Sequence, residues 1–185
     1  TKVLRENGVM GGKIVIEENE TLLQSEDYEN VNYVETVSCK QVVRYNESAS
    51  KKVVLIDCGT KFSLIRSLMD RNVEVIRVPF DCDFSSIDYD ALVISNGPGN
   101  PILCTKTIEN IRKAMMTNKP ILGVGLGNQL LGLAANAKVE KLKFGHRGAN
   151  QPSRLKGSNS CYITNQNVGY TIAKDSLPVD WDVMF

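Results

Sequence analysis

The run Ile121-Leu122-Gly123-Val124-Gly125-Leu126-Gly127-Asn128-Gln129-Leu130-Leu131 has the outline of a nucleophile elbow, an apolar strand turning sharply into a helix. Such an elbow presents one side chain at the carboxyl end of a strand, where backbone N–H groups at the start of the next helix stabilise an oxyanion. The residue at its tip is Gly125, which presents no side chain. These residues spell the geometry of acyl transfer without the atom that would attack.

Two other glycine-bearing turns follow apolar runs: Asp57-Cys58-Gly59 and Ser95-Asn96-Gly97-Pro98-Gly99-Asn100-Pro101. In the second, the glycines let backbone approach a ligand closely and the prolines stiffen the turn. A tight connection with no ligand has the same composition. The coincidence with a strand end and with a second glycine turn favours the ligand. The cysteines, Cys39, Cys58, Cys82, Cys104 and Cys161, include none at the elbow. Cys58 sits at another strand end and reads as a buried or peripheral thiol. The one histidine is His146.

The elements that must position these turns alternate. Val53-Val54-Leu55-Ile56 is a continuous apolar run of the kind a parallel strand buried on both faces requires. Phe62, Ile65, Leu68 and Met69 recur at helical spacing, Val73 to Val78 returns to strand, and Ala91 to Ile94 is strand. A helix carrying Ile108, Ile111 and Met115 follows, then a strand from Pro120 to Val124 and a helix from Asn128 to Asn136. The alternation predicts a doubly wound α/β fold with a mostly parallel sheet and ligands at the carboxyl ends of its strands. Further strands are expected at Val139–Lys143, Cys161–Thr164 and Tyr170–Ala173. Upstream, Val3 to Gly8 reads as a helix end, Gly11 to Ile16 as a strand, and the polar stretch from Glu18 to Ser50 as a linker wrapping a surface. The expected domains are 1–50, the end of a preceding domain plus linker, and 51–185.

With 185 residues, 42% of them hydrophobic, the chain can bury one ordinary core. Lys+Arg of 22 against Asp+Glu of 21 gives a net charge of +1, so no bulk field points to nucleic acid or an anionic membrane. Five widely spaced cysteines without a Cys-x-x-Cys pair fit a reducing, intracellular compartment and no zinc site. No apolar stretch approaches the ~20 residues of a membrane span. The chain starts at Thr1, in mid-pattern, and is read as a fragment.

Four ordered motifs carry a family resemblance: Asn96 to Pro101, Gly123 to Gln129, Phe144-Gly145-His146-Arg147-Gly148-Ala149-Asn150-Gln151-Pro152, and Asn165-Gln166-Asn167-Val168-Gly169-Tyr170. Together they resemble the glutamine amidotransferase domain of carbamoyl-phosphate synthase, along the whole chain from Thr1 to Phe185. The resemblance implies a triad-type (class I) amidotransferase fold, truncated at its C-terminus. It implies a domain that hydrolyses glutamine and hands ammonia to a synthetase domain or chain, which itself holds ATP and Mg. No cofactor or metal is expected in this segment. In active relatives an elbow cysteine attacks the glutamine amide and a downstream histidine, held by a glutamate, is its base. By the same resemblance Gly97 and Gly99 line a glutamine pocket, Gly99 and Leu126 supply oxyanion-hole backbone, and Gln129, Asn167, Gly169 and Tyr170 contact substrate.

The chain departs from that pattern. The elbow cysteine maps to Gly125, and Asn128 and Val168 stand where glutaminase-active members carry histidine. His146 does not occupy the position of the base, and reads as a hydrogen-bonding brace in a loop. The motif carrying the base and its glutamate falls, in relatives, beyond Phe185. Gly127-Asn128 and Gly132-Leu133-Ala134-Ala135 are similar to the ammonia-dependent branch. The reading is thus a domain without an intact catalytic residue, structural or regulatory for an ammonia-using synthetase. Two alternatives stand beside it: a glutamine-binding sensor, and an active domain whose cysteine was replaced. A urea-type enzyme would be mitochondrial and a pyrimidine-type enzyme cytoplasmic.

Overall fold

The computed structural model describes residues 1–11, 16 and 28–185. Strands β1 (Val43–Tyr45), β2 (Lys51–Asp57), β3 (Val73–Pro79), β4 (Ala91–Ile94) and β5 (Ile121–Gly123) form one sheet in the order β1-β3-β2-β4-β5. The pairs β2–β3, β2–β4 and β4–β5 are parallel, and β1 closes one edge antiparallel to β3. Helices α1 (Lys2–Asn7), α2 (Tyr33–Val37), α3 (Phe62–Met69), α4 (Thr105–Met115) and α5 (Leu126–Ala134) intervene.

The continuous apolar runs are explained by two cores, one on each face of the sheet. Val54 and Ile56 of β2, Ile76 and Val78 of β3, and Leu92 and Ile94 of β4 pack with Ile108 and Ile111 of α4 and with Leu126 and Leu130 of α5. The alternate residues Val53, Leu55, Val75 and Val93 pack with Ile65 of α3. Strand periodicity of two therefore sends successive side chains to opposite, equally dry faces. The chain leaves β2 through α3 toward β3 on one side, and leaves β4 through α4 toward β5 on the other. The carboxyl ends of β2 and β4 form the topological switch point, where an open α/β sheet leaves a crevice for ligands.

The expected strands of residues 53–56, 73–78, 91–94 and 120–124 and the three expected helices are present, with ends shifted by a few residues. Several expectations are corrected. Phe62 is 59% exposed rather than in the core, and the Arg77 guanidinium lies 5.8 Å from its ring centre. The stretch expected to be linker contains, within 28–50, both α2 and β1. Val34 of α2 is buried against the sheet, and Arg44 of β1 reaches Glu74 at 2.6 Å. The three strands expected after α5 are two: β6 (Val139–Arg154) and β7 (Cys161–Ile172), paired antiparallel as a long ribbon. Register shifts between Lys141 and His146 and between Gly148 and Gln151 keep the ribbon going through glycine-rich sequence that reads locally as a break. The strand expected at Gly11 to Ile16 lies, from Gly12 to Val15, outside the described residues.

At the end of β2 the fully buried Asp57 collects five donors. Its Oδ2 accepts from Arg77 Nη2 at 2.6 Å, Arg77 Nε at 2.9 Å and the Cys39 N–H at 2.8 Å, while its Oδ1 accepts from the N–H groups of Thr60 and Gly59 at 2.7 and 3.0 Å. Burial alone would push this carboxyl up, but the N–H groups of Thr60, Cys39 and Gly59 and the Arg77 guanidinium outweigh it and hold it below the ordinary carboxylate value. Since the folded value lies below the unfolded one, the contribution to stability is fully present above about pH 4 and is lost as pH falls through the folded value. Asp57→Ala should lower unfolding free energy by about 3–5 kcal/mol at pH 7, because Arg77 and three N–H groups lose their acceptor. Asp57→Asn should flatten the acid limb of stability against pH. Urea denaturation from pH 3 to 7 measures both, and an unchanged acid limb would refute the assignment.

Candidate functional site

The crevice at the switch point opens into a cleft of about 1540 Å³. One wall is the turn after β4, Asn96 to Asn100, and another is the start of α5 with Val124, Gly125, Leu126 and Gln129. The ribbon supplies a third, with Lys141, Leu142, Arg147 and the stretch Asn165 to Tyr170. Gly97, Gly99, Gly125, Leu126, Gln129, Asn167, Gly169 and Tyr170, scattered over 74 positions of sequence, all face this one space. Lys61, Tyr33 and Arg147 line it as well and were not singled out by sequence.

Local chemistry explains how the turns take shape. Asn100 Oδ1 accepts from the Ile102 N–H at 3.1 Å and Pro101 opens a short 3-10 helix, Pro101–Leu103, so the turn after β4 ends by being capped. Asn96 Nδ2 donates to the Gly59 carbonyl at 3.2 Å, joining this turn to the one after β2. The elbow itself is built in full. Gly125 precedes α5 with φ 56° and ψ −112°, a sparsely populated conformation that glycine adopts with little strain. A Cβ there would meet the Asn96 Cβ at 3.5 Å, ordinary contact, so the space for a side chain is intact. Gly127, two residues on, is a different case: a Cβ would fall 2.2 Å from the Ile94 carbonyl oxygen. That close approach is what seats α5 against the end of β4. The N–H groups of Leu126 and Gly99 take part in none of the hydrogen bonds of the described residues, so both can donate into the cleft.

The ribbon is fastened to α5 at its base. Gln129 Nε2 donates to the Tyr170 carbonyl at 2.7 Å, and Ile172 packs over Gly132 closely enough that a Cβ there would fall 2.7 Å from its Cδ1. Farther along, Arg147 Nη1 donates to Asn167 Oδ1 at 2.5 Å. Lys141 pairs with Glu29, whose carbonyl accepts from Asn100 Nδ2 at 3.2 Å. Burial, with Glu29 adding to it, pushes the Tyr170 phenol up.

None of the five cysteines lines the cleft. Burial pushes the Cys58 thiol well up and raises Cys104 to about 11, and burial followed by the Asp57 carboxylate raises Cys39 to about 11. These sulfurs are thiols, not thiolate nucleophiles, at neutral pH. His146 sits on β6, not in a loop, opposite Val168, with its Nδ1 3.0 Å from Gln166 Oε1. Neither it nor Asn128 lines the cleft.

The two elbow glycines should respond differently to a methyl group. Gly125→Ala should cost about 1–3 kcal/mol, all of it backbone strain. Gly127→Ala should cost more, since its clash is with strand backbone that cannot yield. Urea midpoints of the two variants give the order, and the reverse order would overturn this account of the elbow.

The family described as glutamine amidotransferase class-I matches residues 54–185. The multifunctional protein CAD of Squalus acanthias is 43% identical over 188 residues, taking in 100% of this chain and 8% of that protein. The carbamoyl phosphate synthase small chain of Pyrococcus furiosus is 42% identical over 186 residues, 95% of this chain and 50% of the relative. The mitochondrial carbamoyl-phosphate synthase (ammonia) of Homo sapiens is 38% identical over 187 residues, 100% of this chain and 12% of the relative. The chain thus spans half or less of the length of these curated relatives. With its doubly wound sheet, its elbow at the end of β5 and a family match over most of its length, the chain belongs to the class-I glutamine amidotransferases.

Proposed function

We propose that the chain is the amidotransferase domain of a carbamoyl-phosphate synthase, that it has no glutaminase activity, and that it serves a synthetase domain or chain fed by free ammonia. The observation that carries this reading is the elbow: its backbone is set for a nucleophile, yet Gly125 has no side chain and no thiol lines the cleft. Hydrolysis of an amide by this family's chemistry needs an attacking thiolate and a base to move its proton. Asn128 and Val168 occupy the positions where resemblance puts histidine in active members. Losses in one direction at three places favour a silent domain over a single replaced cysteine. The ammonia-using branch is proposed on Gly125, Asn128 and the Gly132-Leu133-Ala134-Ala135 run, since the human relative named for ammonia, at 38%, is no more similar than the multifunctional protein CAD at 43%.

ATP and Mg belong, in this reading, to the synthetase, and this segment needs no cofactor. The compartment follows the pathway: mitochondrial for a urea-type enzyme, cytoplasmic for a pyrimidine-type one.

In a glutaminase assay the chain should release no ammonia from glutamine above background. Gly125→Cys should fold, because a Cβ fits beside Asn96, and should gain a thiol that alkylates with iodoacetamide. Within residues 1–185 it should still not turn over, because no histidine of this segment lines the cleft beside it. Sustained ammonia release by the unaltered chain would end the silent-domain reading. Release by the cysteine variant alone would show that the thiol was all that was missing.

A second reading has its own support, since the cleft walls persist without the nucleophile: the domain binds glutamine unconsumed and acts as a sensor. Calorimetry with glutamine up to millimolar concentration should show saturable heat. A flat titration excludes the sensor.

A further inference from the structure

Two of the side-chain amides that line the cleft, Asn167 and Gln129, are each held by a partner that allows one orientation only. A guanidinium can donate but not accept, so the Asn167 atom that Arg147 Nη1 meets at 2.5 Å is its carbonyl oxygen. The Asn167 NH₂ group, with two donors, is left for the cleft that Asn167 lines. A backbone carbonyl can accept but not donate, so the Gln129 atom on the Tyr170 carbonyl at 2.7 Å is the NH₂ group. The Gln129 oxygen is left as an acceptor on the opposite, helix-side wall.

Arg147 is placed for this by the ribbon. It stands opposite Asn167 in the ladder, between the two register shifts, and its Nη2 lies 3.4 Å from where a Gly169 Cβ would be. It takes part in none of the ion pairs of the described residues. Its guanidinium is thus committed to a neutral oxygen while most of its donors stay uncommitted.

We infer that Arg147 is the positioning residue of the cleft: by fixing Asn167 as a donor it makes the ribbon wall select a ligand oxygen, a carboxylate or carboxamide, while Gln129 selects an N–H group opposite. The ligand class is an amino acid or primary amide carrying both groups. The inference rests on the reading of this cleft as a glutamine site. A simple cross-strand pair that stiffens the ribbon would give the same hydrogen bond without controlling the amide.

The test uses the whole chain and two readouts. The side-chain NH₂ resonances of Asn167, identified by their loss in Asn167→Ala, report the amide in the absence of ligand. Arg147→Met should shift or average them, and Arg147→Lys, which also only donates, should largely preserve them. Calorimetry with glutamine should show affinity weakened about tenfold by Arg147→Met, the effect of one lost hydrogen bond. The weakening should vanish when the same change is made in Asn167→Ala. Asn167 resonances indifferent to Arg147→Met would overturn the inference. So would an equal loss of affinity with and without Asn167, which would mean that Arg147 meets the ligand directly. If the unaltered chain binds no glutamine, the ligand reading fails, and the resonances still decide whether Arg147 positions Asn167.

Discussion

The carboxylate of Asp57 is the constraint on which the cleft end of the molecule depends. A buried charge is tolerated only when its lone pairs are filled. Here the groups that fill them come from three places: β3 through Arg77, the chain after α2 through Cys39, and the turn after β2 through Gly59 and Thr60. One side chain therefore sets where β2 stops, how the turn below the cleft curls, and where the segment bearing Tyr33 is anchored. The neighbouring Ser38 hydroxyl accepts from the Phe80 N–H at 3.0 Å and extends the same tie beyond the end of β3.

The elbow shows how a fold of this kind keeps its shape with no side chain at the elbow tip. What α5 needs in order to dock is a missing Cβ at Gly127, where the Ile94 carbonyl comes close, and the apolar contacts of Leu126 and Leu130. What a nucleophile needs is a different residue, Gly125, where a Cβ would meet only Asn96, at ordinary contact distance. Packing and catalysis draw on adjacent but separate atoms. Substitution at one leaves the other nearly untouched.

How much of this could be read from sequence varies with the reach of the interaction. Val53–Ile56 and Ala91–Ile94 announce themselves because both faces of their strands are buried, and the elbow is visible because glycines at fixed spacing follow an apolar run. Strand β1 was hidden: it is a short, half-exposed edge held by its antiparallel ladder to β3 and by an ion pair between Arg44 and Glu74, 30 positions apart. Phe62 keeps helical spacing with Ile65 yet faces out, because its ring is used by Arg77 and not by the core. The register of the ribbon depends on two bulges, so nothing local in the Phe144 to Pro152 motif shows that Arg147 would meet Asn167. Sequence motifs pointed to Gly97, Gly99, Gln129 and Asn167 on the cleft and missed Tyr33, Lys61 and Arg147, whose places depend on long-range packing.

The ribbon is joined to α5 by the Gln129–Tyr170 hydrogen bond and by Ile172 resting on Gly132, and it runs 16 residues out along β6. At ~3.3 Å per residue such an arm is several times longer than the contact that holds it. Mechanically it is a lever with a short fulcrum. Asn167 stands on the arm and Gln129 on the helix that holds its base, so the spacing of these two cleft walls is set by how the ribbon is seated on α5.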